Sequence, residues 1–230
     1  MSRKCLSATA HERGSAGSGR WSRARRAIEQ GGALHHQNVA MALGTQILTS
    51  VLRKSFDNVR WLLEDVDEED CFWEPDEPCW SVRRREHAGE GWGTGDWVCE
   101  DTWPPPNPIP VTTLAWRIAH LAAWTDVYRN WTFEDQSLGL SGFEVPGSRD
   151  GLAGWLYSAQ DRFHTQVEAL VDADLVELRP ADYGPQLPIH RLVSGIAVEH
   201  IHHSAEIGLL RDLRRGHARV QPPPIKEEPT

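Results

Sequence analysis

The chain has 230 residues, and 40% of them are hydrophobic, which is enough to build the core of one domain with tails. Its formal net charge is −9; residues 1–40 hold seven Lys/Arg and two Asp/Glu (+5), so the remainder carries −9 − 5 = −14. An acidic body argues against a nucleic-acid-binding protein, since phosphate recognition uses clustered Lys and Arg. No apolar run of about 18 residues occurs, so a membrane-spanning protein is not expected.

The two ends of the chain differ in composition from the rest. Residues 1–40 are rich in Ser, Gly, Ala and Arg, which predicts a disordered or spurious extension with Met41 as the functional start, although a transit peptide has a similar composition. A single domain is expected over residues 41–216, followed by a disordered tail at 217–230. The four cysteines form no CxxC pair and no secretory segment is recognisable, so reduced thiols and a cytoplasmic location are expected.

The first predicted elements are a helix and a long loop. Apolar residues recur at spacings of three and four over residues 46–66, which is typical of an amphipathic helix. Residues 67–110 are irregular and rich in Trp, Pro and Gly, and a loop of this length is uncommon unless it is functional. We expect its tryptophans to pin it onto the helices: Trp73, Trp80, Trp92, Trp97 and Trp103.

Three more helices are predicted downstream. The second begins after Pro110, with Thr112 or Thr113 as its N-cap, and extends to about residue 131. The third covers roughly residues 151–172, and the fourth follows Pro188 and ends near residue 213. No strand-like alternation is long enough to build a sheet. The pattern therefore predicts an all-α four-helix bundle with the long Trp/Pro/Gly-rich loop between helices one and two.

The fourth helix carries acceptor side chains where apolar ones are expected. At 100° per residue, Glu199, His203 and Glu206 fall within about 60° of one another. They share this stripe with three aliphatic residues, Leu192, Ile196 and Leu210. A carboxylate and an imidazole buried on such a stripe are costly unless they are paired or bind a metal ion.

A third candidate ligand lies on the second helix. His120 stands between Trp116 and Trp124 at helical spacing, on a ridge expected to face the core. Together, His120, Glu199 and His203 would leave an open coordination position, which is typical of catalytic metal sites, and they suit Zn²⁺, Fe²⁺ or Ni²⁺. A lone core histidine is more often simply hydrogen-bonded, and clustered histidines can form a solvated face, so these alternatives stay open.

Several short motifs carry a family resemblance. They are residues 72–75, 79–83, 95–98, 111–120, 129–130, 201–207 and 209–213. Together they resemble the DinB-like (damage-inducible B) superfamily, most closely a subgroup common in actinobacteria, over about residues 46–215. The resemblance implies a four-helix bundle that holds a divalent metal, usually with one histidine on helix two and an HxxxH pair on helix four.

The resemblance also identifies the ligand positions in this chain. His120 matches the histidine of helix two and His203 matches the last histidine of helix four, whereas Glu199 stands in place of the remaining one. Glutamate is a competent ligand, so an altered site is implied. A shifted register would offer His200 or His202 instead. Homodimers are frequent in the family, so a homodimer is also implied.

Relatives in the family use small thiols. They include mycothiol-dependent maleylpyruvate isomerase and bacillithiol transferases, in which the metal favours the thiolate. The resemblance implies a metal-dependent transferase or isomerase that uses mycothiol or another low-molecular-weight thiol on a small electrophile. Glu206 and His202 would then orient a ligand or shuttle protons, and Arg117 and Arg129 would bind carboxylates of the thiol. Two alternatives stay open: a non-catalytic metal-binding or dimerisation module that uses the Trp-rich loop, and a metal-dependent hydrolase.

Overall fold

The computed structural model describes residues 43–180 and 185–216, so the predicted extension at 1–40 and tail at 217–230 lie outside the described residues. Within this part, the long helices are α1 (Leu43–Leu63), α2 (Leu114–Phe133), α3 (Arg149–Glu168) and α4 (Ile189–Arg214). A single helical turn, Glu68–Cys71, follows α1. The helix-dominated fold predicted from the sequence is confirmed. None of the described helices is both long and apolar enough to cross a bilayer.

The helices pack around two apolar clusters. Helix α1 lies mainly against α4 and also against α3, while α2 lies against α3 and α4. One cluster is built around residues such as Leu63 and Ile118, and the other around Leu52 and Phe163. Helix α4 contributes residues up to Ala197 to the second cluster, and it contributes Ile207 to the first. The intervening turns of α4 therefore separate the two clusters, and they carry the polar residues.

Side-chain caps explain where the helices begin and end. The Thr113 hydroxyl accepts a 3.2 Å hydrogen bond from the backbone N–H of Trp116, which confirms one of the two predicted N-caps of α2. Helix α3 ends four residues before the predicted position. Asp172 instead leaves the helix and accepts hydrogen bonds from the backbone N–H groups of Gly44 and Thr45, 3.3 and 2.8 Å long. A residue distant in sequence thus caps the first turn of α1.

The segment between α1 and α2 forms short strands that pair into small sheets, so the expectation that no sheet would form is wrong. The strands are β1 (Cys79–Trp80), β2 (Val82–Arg84), β3 (Gly91–Trp92), β4 (Trp97–Glu100) and β5 (Val111–Thr112). Strand β4 is central in an antiparallel sheet with β2 and β3, and β1 pairs parallel with β5. Near α4, β6 (Leu178–Arg179) pairs with β7 (Leu187–Pro188). Strands of two to four residues are too short to give a readable alternation.

Most tryptophans of this segment contact the helical body, but one does not. Trp92 is buried and meets Trp155 of α3 edge to face, and Trp80 stacks on Trp116 of α2. Trp103, in contrast, is 93% exposed, so the prediction that it pins the loop is wrong. The strands, rather than the tryptophans alone, fix the path of the segment across α2.

Candidate metal centre

Side chains of α2 and α4 converge where these two helices pack. The Nε2 atom of His203 lies 3.4 Å from Oε2 of Glu199, and Nε2 of His120 lies 3.9 Å from the same oxygen. One potential ligand atom from each residue lies within 4.8 Å of the others. Donors in a tetrahedral zinc site, with bonds of about 2.0–2.2 Å, are separated by roughly 3.4 Å. The donor set therefore matches a divalent metal in both chemistry and spacing.

The charge states of the group also suit a cation. Burial lowers the pKa of His120, so its imidazole is neutral at pH 7 and offers a lone pair. The imidazoles of His120 and His203 hold the pKa of Glu199 well below its usual range. Glu199 therefore stays ionised, and with 43% of its side chain exposed it forms the open side of the site. Neutral imidazole and ionised carboxylate are the forms in which these residues bind metals.

The His120 ring is held between two indoles. Trp116 stacks on it with ring centroids 4.7 Å apart at 19°, and Trp124 lies on its other side at 6.2 Å. The Trp116 indole N–H donates a 2.6 Å hydrogen bond to the carbonyl of Glu100 at the end of β4. The spacing of four residues predicted that Trp116 and His120 share a face, but the sequence did not predict the hydrogen bond of this indole to the strand segment. The strand segment thus positions a candidate ligand from outside the helices.

The second ring nitrogen of His203 is fixed by Glu206. The Oε2 atom of Glu206 lies 2.5 Å from His203 Nδ1, and 2.9 Å from Nη1 of Arg117. Arg117 Nη1 also lies 3.2 Å from the same imidazole nitrogen. A guanidinium only donates and an ionised carboxylate only accepts, so the proton on Nδ1 belongs to the bond with Glu206. Nε2 of His203, 3.4 Å from Glu199, is then the nitrogen that would bind a metal ion.

The ion pair with Arg117 also settles the charge of Glu206. Burial raises the pKa of Glu206, but the His203 hydrogen bond and the Arg117 charge outweigh it and bring the pKa below its usual value. Glu206 is therefore an ionised acceptor at neutral pH. Carboxylates that hold a metal-binding histidine in this way set its tautomer and orientation.

The remaining residues singled out from the sequence take different positions. His202 is exposed, with Nε2 3.3 Å from Oε1 of Glu206. Arg129 does not join the group, because its guanidinium contacts Asp126 and Glu134. His200, considered as a substitute ligand, is fully buried; its Nδ1 donates to the carbonyl of Ile196, and burial lowers its pKa to about 4.

The chain is similar to a known protein family and to a solved structure. The family model described as the DinB superfamily matches residues 52–207, more than half of the chain. A crystal structure of a conserved protein from Enterococcus faecalis is similar, with a TM-score of 0.51 and 12% identity. The similarity covers 77% of this chain and 99% of that one, and at this identity it concerns the fold alone. No curated protein matches the chain.

Proposed function

This chain belongs to the DinB superfamily, and we propose that it is a divalent-metal-dependent enzyme that uses a low-molecular-weight thiol on a small electrophile. DinB-like proteins commonly bind a divalent metal. The observation that carries the proposal is the convergence of His120, Glu199 and His203 within 4.8 Å. The family resemblance supplies the thiol chemistry, and mycothiol is the thiol that the sequence motifs favour.

The proposed ligands are two imidazoles and one carboxylate. This set suits Zn²⁺, Fe²⁺ or Ni²⁺ and leaves at least one position open. When bound, the metal would lower the pKa of a thiol and so favour the nucleophilic thiolate at neutral pH. Glu199 in place of a third histidine adds a negative charge, which strengthens the attraction for a divalent cation.

The Glu206 carboxylate offers a route for the proton that a thiol must lose. One oxygen of Glu206 is bonded to His203 and the other lies 3.3 Å from Nε2 of His202. His202 is exposed to solvent, so its imidazole is in contact with water as well as with Glu206. We therefore assign Glu206 to orientation of His203 and His202 to proton exchange with water.

Arg117 is the residue we assign to an anionic group of the thiol or the electrophile. Its guanidinium lies next to Glu206 and over the ring of Trp116, with 17% of the side chain exposed. Of the two arginines singled out from the sequence, only Arg117 contacts the candidate metal centre, because Arg129, twelve positions further along α2, is paired with Asp126 and Glu134. An arginine at this position would bind a carboxylate beside the reacting sulfur.

We also infer that the four long helices form a four-helix bundle and that the protein is located in a reducing compartment. The pairwise packing of α1–α4 supports the four-helix bundle of the family. Cys71, Cys79 and Cys99 are all free thiols, which supports a reducing compartment such as the cytoplasm.

Metal analysis of purified variants tests the site directly. Elemental analysis of the full chain should find near-stoichiometric Zn, Fe or Ni, and His120→Ala, Glu199→Ala and His203→Ala should each lose it. His164→Ala is the matched control, because His164 lies 3.5 Å from Glu168 in a similar His–Glu contact on α3. Full metal content in His120→Ala would refute the assignment.

Activity of the metal-loaded protein separates the possible chemistries. Consumption of mycothiol with an electrophile panel, abolished by a chelator and by His203→Ala, is the expected result. Turnover of ester or amide substrates without any thiol would instead identify a metal-dependent hydrolase. Metal binding without turnover of either kind would identify a non-catalytic metal-binding module.

A further inference from the structure

Helix α2 carries a row of ring-bearing side chains that continues past the candidate metal centre. The row follows helical spacing and consists of Trp116, His120, Trp124, Tyr128 and Trp131. Its central ring, Trp124, has its centroid 6.1 Å from that of Tyr128 and 6.0 Å from that of Trp131. The first and last indoles of the row are buried, whereas Trp124 and Tyr128 are only partly buried. The row is therefore accessible in the stretch that follows His120.

The packing of α2 against α4 brings this accessible stretch to the open side of the metal centre. Contacts between the two helices join Arg117 to Glu206, His120 to His203, and Tyr128 to Gly195. The residue numbers of each pair add up to 323, so the helices run antiparallel and Trp124 lies level with Glu199. Trp124 also contacts the ring of His120. A molecule bound at the open side of the centre would therefore have the indole of Trp124 beside it.

Helix α4 has no side chain at the level of Tyr128, because Gly195 stands there. A Cβ atom at Gly195 would lie 3.3 Å from Cε1 of Tyr128, which is closer than an ordinary van der Waals contact. The residues one turn away on the same side of α4 are Leu192 and Glu199, both with large side chains. Glycine inside a helix is destabilising relative to alanine, and the close approach of the Tyr128 ring gives the physical reason for it here. We name the space lined by Trp124, Tyr128 and Gly195 the aromatic groove.

The aromatic groove is uncharged. Residues 192–198 of α4 include no charged side chain, and residues 121–128 of α2 include only Asp126. The Asp126 carboxylate is buried and paired with Arg162 of α3, so its charge lies on the α3 side of α2. At the other end of the metal centre stands the ion pair of Arg117 and Glu206. The candidate site thus has a charged end and an aromatic end.

We propose that the electrophile carries an aromatic ring and that this ring binds in the aromatic groove, against Trp124 and Tyr128. This inference rests on the proposed function, because it names the class of electrophile with which the thiol reacts. His120 and Tyr128 are eight residues apart, which is about 12 Å along the helix, so one ring and a short linker fit between them. Stacking or edge contact with an aromatic ring adds to the attraction that buried apolar area alone provides. The reactive carbon would then lie toward His120, and Arg117 would remain available for the anionic group of the thiol.

Binding of unreactive amides tests the aromatic groove without any thiol. N-benzylpropanamide and N-(cyclohexylmethyl)propanamide share one amide and have rings of similar size, but only the first ring is aromatic. Ligand-detected NMR titrations of the full chain should show roughly 2- to 10-fold tighter binding of the benzyl amide, and Trp124→Leu and Tyr128→Leu should each reduce this preference. Trp61→Leu is the matched control, since Trp61 is an exposed indole of α1 outside the groove, and it should keep the preference. Equal binding of the two amides by the wild type would overturn the proposal, as would a preference that persists in Trp124→Leu.

The reactive counterparts of these amides distinguish a failure of this inference from a failure of the proposed function. N-benzylacrylamide and N-(cyclohexylmethyl)acrylamide present the same alkene to the thiol: the sulfur bonds to the terminal carbon, and the thiol proton moves to the carbon next to the carbonyl. A methylene group separates the ring from the amide in both compounds, so their uncatalysed rates should be equal. The protein should favour the benzyl compound in kcat/KM by the factor seen in binding. Equal kcat/KM values would overturn the aromatic groove and leave the thiol reaction standing, whereas tighter binding of the benzyl amide without thiol consumption would support the groove and count against the thiol reaction.

Discussion

Glu206 accepts a 2.5 Å hydrogen bond from Nδ1 of His203, one helical turn before it on α4. This contact leaves Nε2 of His203 as the nitrogen directed toward Glu199 and His120. The carboxylate is in turn held by Arg117 of α2. A single residue thus determines the tautomer of a candidate ligand and links the two helices that form the site.

Replacing Glu206 should therefore weaken metal binding without removing a ligand. In Glu206→Gln the amide oxygen can still accept from His203, but the negative charge is lost and Arg117 is left without its partner. Changes to residues that orient a ligand typically reduce metal affinity about 10–100-fold. Competition titration with a chromophoric chelator measures this, with Glu168→Gln, beside His164, as the control. Unchanged affinity would contradict the role assigned to Glu206.

The indole N–H of Trp116 should contribute to stability. Trp116→Phe keeps an aromatic ring next to His120 but leaves the buried carbonyl of Glu100 without its donor. We expect a loss of about 1–3 kcal/mol in the free energy of unfolding, the usual cost of an unpaired buried polar group. Urea unfolding measures this loss. The exposed Trp103 supplies the control, and Trp103→Phe should change stability by less than about 0.5 kcal/mol. Equal effects in both variants would argue against the structural role of the bond.

Asp126 should be a strongly stabilising residue between α2 and α3. Its carboxylate is buried and accepts hydrogen bonds from Arg162 and from the indole of Trp155. Asp126→Ala leaves the Trp155 indole N–H without its acceptor and the half-exposed Arg162 without its ion-pair partner, which we expect to cost about 1–3 kcal/mol. The exposed Asp161, paired with Arg60, is the comparison, and its alanine variant should lose less than about 1 kcal/mol. Comparison of the denaturant midpoints of the two variants tests whether Asp126 contributes more to stability than Asp161.

The cap on α1 predicts a pH dependence of stability. The backbone N–H of Thr45, together with its hydroxyl and the N–H of Gly44, lowers the pKa of Asp172. A carboxyl whose folded pKa lies below its unfolded value of about 3.9 stabilises the fold above that pH. This contribution is lost as the pH falls through the folded pKa.

Melting temperatures measured between pH 3 and pH 7 test whether the contribution of Asp172 to stability is lost as the pH falls. Wild type should melt above Asp172→Asn near neutral pH, and the difference should shrink below pH 4. Asp65→Asn, which changes an exposed carboxylate, should show no such convergence. A difference that grows as the pH falls would contradict the capping role.

The sequence predicted the helices and the convergence of three residues because both depend on local periodicity. The positions of Glu199 and His203 follow from their spacing of four, and that of His120 from the indoles on either side. The burial of His200 could not be predicted in the same way. Helix α4 is apolar on several sides, so the stripe alone does not show which flank is enclosed by α1, where Phe56 contacts the His200 ring.

The strand pairings could not be predicted from the sequence, whereas the ion pairs of Arg129 could have been. Strand β4 pairs with residues up to 17 positions away, such as Val82 with Cys99, and nothing in a segment of four residues specifies such partners. Acidic residues stand close to Arg129 in the sequence, since Asp126 lies three residues before it and Glu134 lies five residues after it. Their spacing predicts local ion pairs, which the structure contains.

The burial of the cysteines has a consequence for the proposed reaction of a thiol with a small electrophile. Burial raises the pKa of Cys71 to about 12 and of Cys79 to about 11, and it raises that of Cys99 well above its usual value. At neutral pH these sulfurs remain protonated and unreactive, since the thiolate is the nucleophile. Within the described part of the chain, the proposed thiol cofactor would therefore meet little competition from thiolates of the protein for an electrophilic substrate.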